Sequence, residues 1–221
     1  MQGDSTPRAA GVHAERRWPM AAAVLAAVIL QVGTPHRGRV PGWWLFPILE
    51  VVLLVFLVVV DPGRVDSRAR FTRRLTIGLI AVMSAATLGA IVVLIYDIIE
   101  GLPGINATDL LGRGAAVWFN NVIVFSLWYW EIDRGGPPER AVGADVPPSF
   151  AFPENATPEL VPEGWVPTYP DYLYLAYTNA TAFSPTDTLP VRLWAKMTMM
   201  LQSTASLVVA ILVIARAINI L

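Results

Sequence analysis

Cysteine is absent from the 221 residues, which excludes disulfide bonds, thiol nucleophiles and cysteine-ligated metal sites. Histidine is almost as scarce, because only His13 and His36 occur, and two histidines hold no metal without carboxylate help. The chain also lacks a glycine-rich phosphate loop, a nucleophile elbow and any metal-ligand spacing. We therefore expect no enzymatic activity, no cofactor, no bound metal and no nucleic-acid partner.

Charged residues are few as well, at 15% of the chain, whereas a typical soluble domain carries about 25%. Hydrophobic residues make up 55%, and the mean hydropathy is +0.53. These values are typical of membrane proteins. Fifteen arginines occur against one lysine, Lys196, in a chain rich in alanine and valine, which is a composition common in high-GC bacteria. The expected location is therefore a bacterial inner membrane.

Five apolar runs predict an all-α polytopic membrane protein with about five transmembrane helices. They cover residues 18–33, 43–60, 75–99, 114–130 and 191–221. A run must contain about 20 residues to cross roughly 30 Å of hydrocarbon at about 1.5 Å per residue. The first run follows two arginines, as a signal peptide would, but no small-x-small cleavage site follows it, so an uncleaved helix is expected.

Composition divides the chain into four parts. Residues 1–17 form a polar tail, and residues 18–131 hold four of the predicted transmembrane helices. Residues 132–170 are acidic and rich in proline and glycine, which predicts an irregular extramembrane segment lying against the membrane through Phe150, Phe152 and Trp165. Residues 171–221 contain a short stretch, too polar to span, followed by the last transmembrane helix.

Glu50, Asn120 and Asn121 are candidate intramembrane polar residues, because each falls inside an apolar run. An ionisable group at the centre of a helix costs about 2.5–3.5 kcal/mol to insert, so Glu50 should face protein or water. Two roles are open for Glu50. It is part of a proton or cation site, or it forms a hydrogen bond between helices. The asparagines bond across helices in most membrane proteins. Four further acids lie at run ends, where ordinary solvation is expected: Asp97, Glu100, Glu131 and Asp133.

The last run carries polar side chains on one helical face, because Thr198, Gln202 and Ser206 follow each other at a spacing of four. Such a stripe on a membrane helix either packs closely against another helix or lines a wet path. We therefore regard these three residues as pore-lining or interface-lining.

The final fifty residues resemble the pore half of a potassium-channel subunit. The stretch "DYLYLAYTNAT" stands where that family has its pore helix, and Asp187-Thr188-Leu189-Pro190 matches the Asp-x-x-Pro after its filter. An aliphatic helix ending in "VIARAINI" follows, as in many bacterial channel subunits. The segment "TNATAFSPTDT" also resembles one carried by a bacterial membrane-protein family without an assigned activity, which implies an architecture only.

The resemblance implies a re-entrant-type pore helix before the last helix and a cation channel built as a homo-oligomer. The filter itself departs from the pattern, because Ser184 and Thr186 replace the two glycines and Pro185 replaces the tyrosine. A proline fixes φ and lacks a donor, so potassium selectivity does not carry over. The pore-loop or filter-like candidates are Thr178, Asn179, Thr181, Ser184, Pro185, Thr186 and Asp187.

Two functions remain open at this point. In the first, the candidates line a constriction that passes a monovalent cation, which Asp187 attracts. In the alternative, the protein is a non-conducting interaction or scaffold protein with a vestigial pore loop, and Asp187 caps the last helix. A secondary transporter is a weaker third class, because the chain is short and has no inverted repeat.

Membrane orientation also remains open. The arginine-rich loop at residues 64–74 should be cytoplasmic, which places the amino terminus inside and, after five helices, the carboxyl terminus outside. A potassium-channel subunit has its filter outside and its last helix running inward. The two arguments therefore disagree.

Overall fold

The computed structural model describes residues 17–34, 42–60, 69–100, 106–141, 143–181 and 187–220. Within these ranges the protein is helical, apart from two short antiparallel strands that pair with each other. The helices are α1 Trp18–Gly33, α2 Leu45–Val60, α3 Ala69–Glu100, α4 Ala107–Ile132, α5 Pro137–Ala141, α6 Pro153–Ala156, α7 Tyr169–Thr181 and α8 Leu193–Ile220. The strands are β1 Phe150–Ala151 and β2 Leu189–Pro190.

Three helices are long and apolar enough to cross a membrane. The apolar stretches are Phe71–Glu100 in α3, Ala107–Gly135 in and just after α4, and Leu193–Asn219 in α8. The helices α1 and α2 are apolar but have 16 residues each, a rise of about 24 Å at roughly 1.5 Å per residue. The predicted all-helical membrane class is therefore confirmed, with three candidate spans among the described residues.

Two helices begin earlier than the apolar runs predict. Helix α3 starts at Ala69, so Arg73 belongs to its first turns and not to the preceding loop. Helix α4 starts at Ala107, because Asn106 Oδ1 accepts the Asp109 backbone N–H at 2.7 Å and caps the helix. The first turns of both helices contain polar and charged residues, so the apolar runs begin only after them.

Helix α4 lies at the centre of the bundle and contacts α1, α3, α7 and α8. Its carboxyl end faces the start of α3, where Arg73 Nε lies 3.4 Å from Glu131 Oε1. Its amino end faces the end of α3, where Arg113 Nη1 lies 3.3 Å from Asp97 Oδ2. We call these the arginine end and the cavity end of the bundle.

Apolar packing holds the bundle together and also covers its outside. Buried positions from four helices meet in the core, among them Val24, Leu57, Ile80 and Leu127. The outward faces carry large apolar side chains in nearly every turn, including Phe56, Leu88, Val92, Ile211 and Ile214. A helix that is apolar on all sides is typical of a membrane span.

The segment at residues 132–170 folds onto the arginine end. It contains α5, β1, α6 and two short 3₁₀ turns. Phe150 and Phe152, expected against the membrane, are buried inside the protein instead. Phe150 packs edge-to-face on Tyr129 at 5.1 Å and on Trp194 at 5.7 Å between ring centroids. The prediction was wrong because the sequence shows only that these side chains are apolar. It does not show whether they pack against lipid or against protein.

A tight turn after α4 starts this segment. Gly135 and Gly136 have φ values of +79° and +95°, a conformation that residues with a side chain rarely adopt. A Cβ at Gly136 would lie 2.7 Å from the carbonyl oxygen of Glu131. The turn brings Asp133 into the interior, where its carboxylate accepts the Ser149 N–H at 2.6 Å and the Tyr172 hydroxyl at 2.7 Å.

The expectation of solvated acids at helix ends is therefore wrong for three of the four. Asp97, Glu131 and Asp133 are buried, and Asp97 and Glu131 each lie in an ion pair with an arginine. Glu100 alone is exposed. A buried carboxylate needs such partners, because its desolvation is otherwise costly.

Candidate functional site

Helix α7 occupies the position predicted for a pore helix and packs between α4 and α8. Asp171 Oδ2 accepts the N–H of Thr168 at 2.6 Å and so fixes the first turn. The Tyr169 and Ser126 hydroxyls lie 2.8 Å apart, which joins this turn to the carboxyl-terminal half of α4. The next described element, β2, pairs with β1 at the same end. Both ends of the segment 169–190 therefore lie at the arginine end.

Gln202 joins three helices from a position that is completely buried. Its Oε1 accepts the Tyr129 hydroxyl of α4 at 2.6 Å and the Asn179 Nδ2 of α7 at 2.8 Å. Its Nε2 donates to the Ala176 carbonyl of α7 at 2.8 Å. The amide group thus uses both of its polar atoms, as a buried amide must.

Further bonds extend this contact along α8. Asn121 Nδ2 donates to Ser206 Oγ at 2.8 Å, and the Ser203 hydroxyl lies 3.1 Å from Asn179 Oδ1. Each such bond contributes about 0.6 kcal/mol on average in a membrane protein. We call the whole set the interhelical polar network: Asn121, Tyr129, Asn179, Gln202, Ser203 and Ser206.

The polar stripe predicted on the last helix divides into two parts. Gln202 and Ser206 point into the bundle and contact α4 and α7 of their own chain. Thr198 is half-buried and donates to the Trp194 carbonyl of its own helix at 2.8 Å. The geometry of Gln202 and Ser206 is that of close helix packing and leaves neither of them on the outer surface.

The filter-like candidates are spread over three environments. Asn179 belongs to the interhelical polar network. Thr178 and Thr181 donate to carbonyls one turn back in α7, at 2.9 Å and 3.0 Å respectively, and Thr181 is exposed. Asp187 is exposed at the start of the return to α8. The other three candidates, Ser184, Pro185 and Thr186, lie outside the described residues.

One face of α7 points away from the bundle. Tyr174 is 57% exposed and Tyr177 is 48% exposed, and Thr181 continues the same side of the helix. The indole of Trp118 covers part of this face, edge-to-face with Tyr177 at 5.8 Å. Three hydroxyl-bearing side chains therefore stand on the outer surface beside the apolar faces of the long helices.

The three intramembrane polar residues do not share one site. Glu50 is fully buried, and Gln31 Nε2 lies 3.1 Å and 3.0 Å from its two carboxyl oxygens, which joins α1 to α2. Asn121 faces α8, whereas Asn120 faces α1 to α3, because successive residues of a helix point about 100° apart. Asn120 Oδ1 is buried and accepts no hydrogen bond from the described residues.

Two residues that make important contacts, Tyr129 and Arg140, were not predicted from the sequence. Tyr129 lies eight residues after Asn121 on the same side of α4, a spacing that could have indicated a second polar contact. Arg140 gave no such signal. Its Nη1 donates to the carbonyls of Trp130 and Asp133, both at 2.8 Å, and its guanidinium stacks over the Tyr172 ring at 5.2 Å. These contacts close the turn after α4.

Comparison of the chain with protein-family models, with curated proteins and with solved structures gives no match. Among the described residues no group of three or more histidine, aspartate or glutamate side chains is arranged to hold a metal ion.

Proposed function

We propose that the protein is a channel-like integral membrane protein in which α7 is a re-entrant helix. The observation that carries this proposal is the position of both ends of the segment 169–190 at the arginine end. With 13 residues, α7 rises about 20 Å, which is too short to cross roughly 30 Å of hydrocarbon.

The proposal includes five membrane-crossing helices, with α1 and α2 as the two short ones. Both are apolar and pack against each other and against longer helices. A hydrophobic stretch shorter than the bilayer is accommodated by local thinning at a modest cost. Gln31 donates to both carboxyl oxygens of Glu50, and the burial of Glu50 keeps this ionisable group away from lipid.

The proposed path for a cation follows the outer face of α7. The stripe on α8 is unsuitable, because Gln202 and Ser206 are already bonded within the chain. The hydroxyls of Tyr174, Tyr177 and Thr181 are unfavourable against lipid, and a shared axis between copies of the chain would remove them from it. A homo-oligomer passing a monovalent cation past Asp187 fits this arrangement.

A flux assay in liposomes tests the proposal. We expect the purified protein to pass potassium or sodium, and Asp187→Asn and Thr181→Val to reduce that flux several-fold. Asp145→Asn is the matched control, since Asp145 is another exposed aspartate but belongs to the extramembrane segment. Flux that survives both substitutions unchanged, or a protein that is monomeric in the bilayer, would contradict the proposed path.

The second candidate is a non-conducting interaction or scaffold protein. Its support is that the interhelical polar network already uses Asn179, Gln202 and Ser206 for packing within one chain. This candidate predicts a stable assembly, or capture of a protein partner, without cation flux. In that case Asp187→Asn changes the stability of the protein only.

A further inference from the structure

A cavity of about 170 Å³ lies at the cavity end and is lined by residues in and beside α1, α2, α3 and α4. Most of its wall is apolar, with Phe46, Val93, Leu94 and Val117 among the lining residues. A water molecule needs only about 10–15 Å³ measured in this way, so the space suits a small organic molecule. Polar side chains line part of the same cavity: Gln31, Thr34, Asp97, Arg113 and Asn120.

Arg113 lines this cavity and has donors that no described residue uses. The residue is only 9% exposed, and its Nη1 lies 3.3 Å from Asp97 Oδ2. Its Nε and Nη2 are buried and have no hydrogen-bond partner among the described residues. These two N–H groups form one edge of the planar guanidinium, and that edge matches the two oxygens of a carboxylate. A buried donor pair without a partner is costly, which a ligand would relieve.

The charge of the site restricts the ligand further. Arg113 is already paired with Asp97, so an added carboxylate alone would leave excess negative charge in a buried place. A ligand that also carries an ammonium group adds no net charge. Asn120 lines the same cavity, and its Oδ1 is a buried acceptor without a donor among the described residues.

We propose that this cavity binds an α-amino acid with an aliphatic side chain. The carboxylate binds the Nε and Nη2 edge of Arg113, the ammonium group faces the acceptor oxygens of Asp97 and Asn120, and the aliphatic chain fills the apolar part. This binding does not depend on cation flux, so it stands or falls separately from the proposed channel.

Leucine is the probe for the first experiment, with the full-length protein in nanodiscs and calorimetry as the readout. We compare it with 4-methylpentanoate, which lacks the ammonium group, and with 3-methylbutylamine, which lacks the carboxylate. Leucine should bind saturably, and each analogue should bind at least about tenfold more weakly, since each loses a charge-assisted contact. Absence of saturable leucine binding, or equal affinity for 4-methylpentanoate, overturns the proposal.

Variants locate the site. Arg113→Lys keeps a positive charge beside Asp97 but lacks the two-donor edge, so leucine affinity should fall roughly tenfold or more. Gly89→Leu fills the cavity, because Gly89 lines it and an added Cβ there meets no atom within 4 Å. Gly78→Leu is the matched control, since Gly78 lies in the same helix with equal space but is not among the lining residues.

The two glycine variants keep the test decisive even when Arg113→Lys fails to fold. Thermal unfolding of each variant first establishes that the bundle is intact. Loss of leucine binding in Gly89→Leu with retention in Gly78→Leu supports the site. Equal binding by both variants overturns it.

Discussion

The hydroxyl of Tyr129 on α4 donates to the side-chain amide oxygen of Gln202 on α8 at 2.6 Å, although 73 residues separate them. Asn179 of α7 donates to the same oxygen, so one amide group holds three helices in register. The relative positions of α4, α7 and α8 therefore depend on a single buried side chain more than on any other polar contact described above.

Replacing Gln202 by leucine should lower the free energy of unfolding by roughly 1–3 kcal/mol. The change leaves the Tyr129 hydroxyl and the Asn179 amide buried with fewer partners, and an unsatisfied buried group costs about that much. Thermal unfolding in detergent, followed by tryptophan fluorescence, measures the loss. Thr204→Val is the control, because Thr204 is exposed on the same helix. Equal stability of the two variants would show that the network contributes nothing.

Gly114→Val should separate α4 from α8. A Cβ at Gly114 would lie 2.7 Å from both methyl carbons of Val213, whereas one at Gly112 meets no atom within 4 Å. Small residues permit this kind of close helix approach in membranes. Gly112→Val is therefore the control for helix propensity. Thermal unfolding should give a lower midpoint for Gly114→Val, and combining Gly114→Ala with Val213→Ala should restore stability relative to Gly114→Ala alone.

Gly136→Ala should destabilise the turn after α4. It introduces both a side chain at positive φ and a contact of 2.7 Å with the Glu131 carbonyl oxygen. Gly164→Ala controls for the first effect, since Gly164 has a φ of +76° with open space around it. Protease accessibility of the segment 132–168 reports on the turn. A similar cleavage rate in both variants would mean that the close approach to Glu131 has no consequence.

The carboxyl terminus should lie outside the cytoplasm. The arginine-rich stretch at residues 64–74 favours the cytoplasm, and the three proposed crossings after it, α3, α4 and α8, place the carboxyl terminus on the other side. An alkaline phosphatase fusion at the carboxyl terminus should be active, and a green fluorescent protein fusion should be dark. A tag inserted at Asp145, at the arginine end, should be reached only from the cytoplasm. A fluorescent carboxyl-terminal fusion would favour the orientation of a potassium-channel subunit.

The helices were largely predictable from the sequence because burial in lipid and burial in protein both select apolar residues. The first run, residues 18–33, coincides with α1. The polar contacts were less accessible to such reasoning. Asn120 and Asn121 look equivalent in the sequence, yet one lines a cavity and the other bonds to Ser206, because a helix turns about 100° between them.

The burial of acids could not be predicted for a different reason. Asp133 is satisfied by the Ser149 backbone and the Tyr172 hydroxyl, which approach it only through the turn at Gly135 and Gly136. Partners so distant along the chain leave no local pattern. The spacing of Thr198, Gln202 and Ser206 identified a polar stripe on the last helix. Spacing alone did not show whether this stripe faces the interior of the bundle or its outer surface.

The bond between Asn121 and Ser206 spans 85 residues, and this separation has a consequence for biosynthesis. At about 5–20 residues per second, α4 is complete for roughly 4–15 s before Ser206 is made. During that interval the polar groups of α4 have no partner on α8. The insertion machinery or water must solvate these groups until then. The order of synthesis therefore leaves the first part of the protein open to recognition by quality control until its last helix has been made.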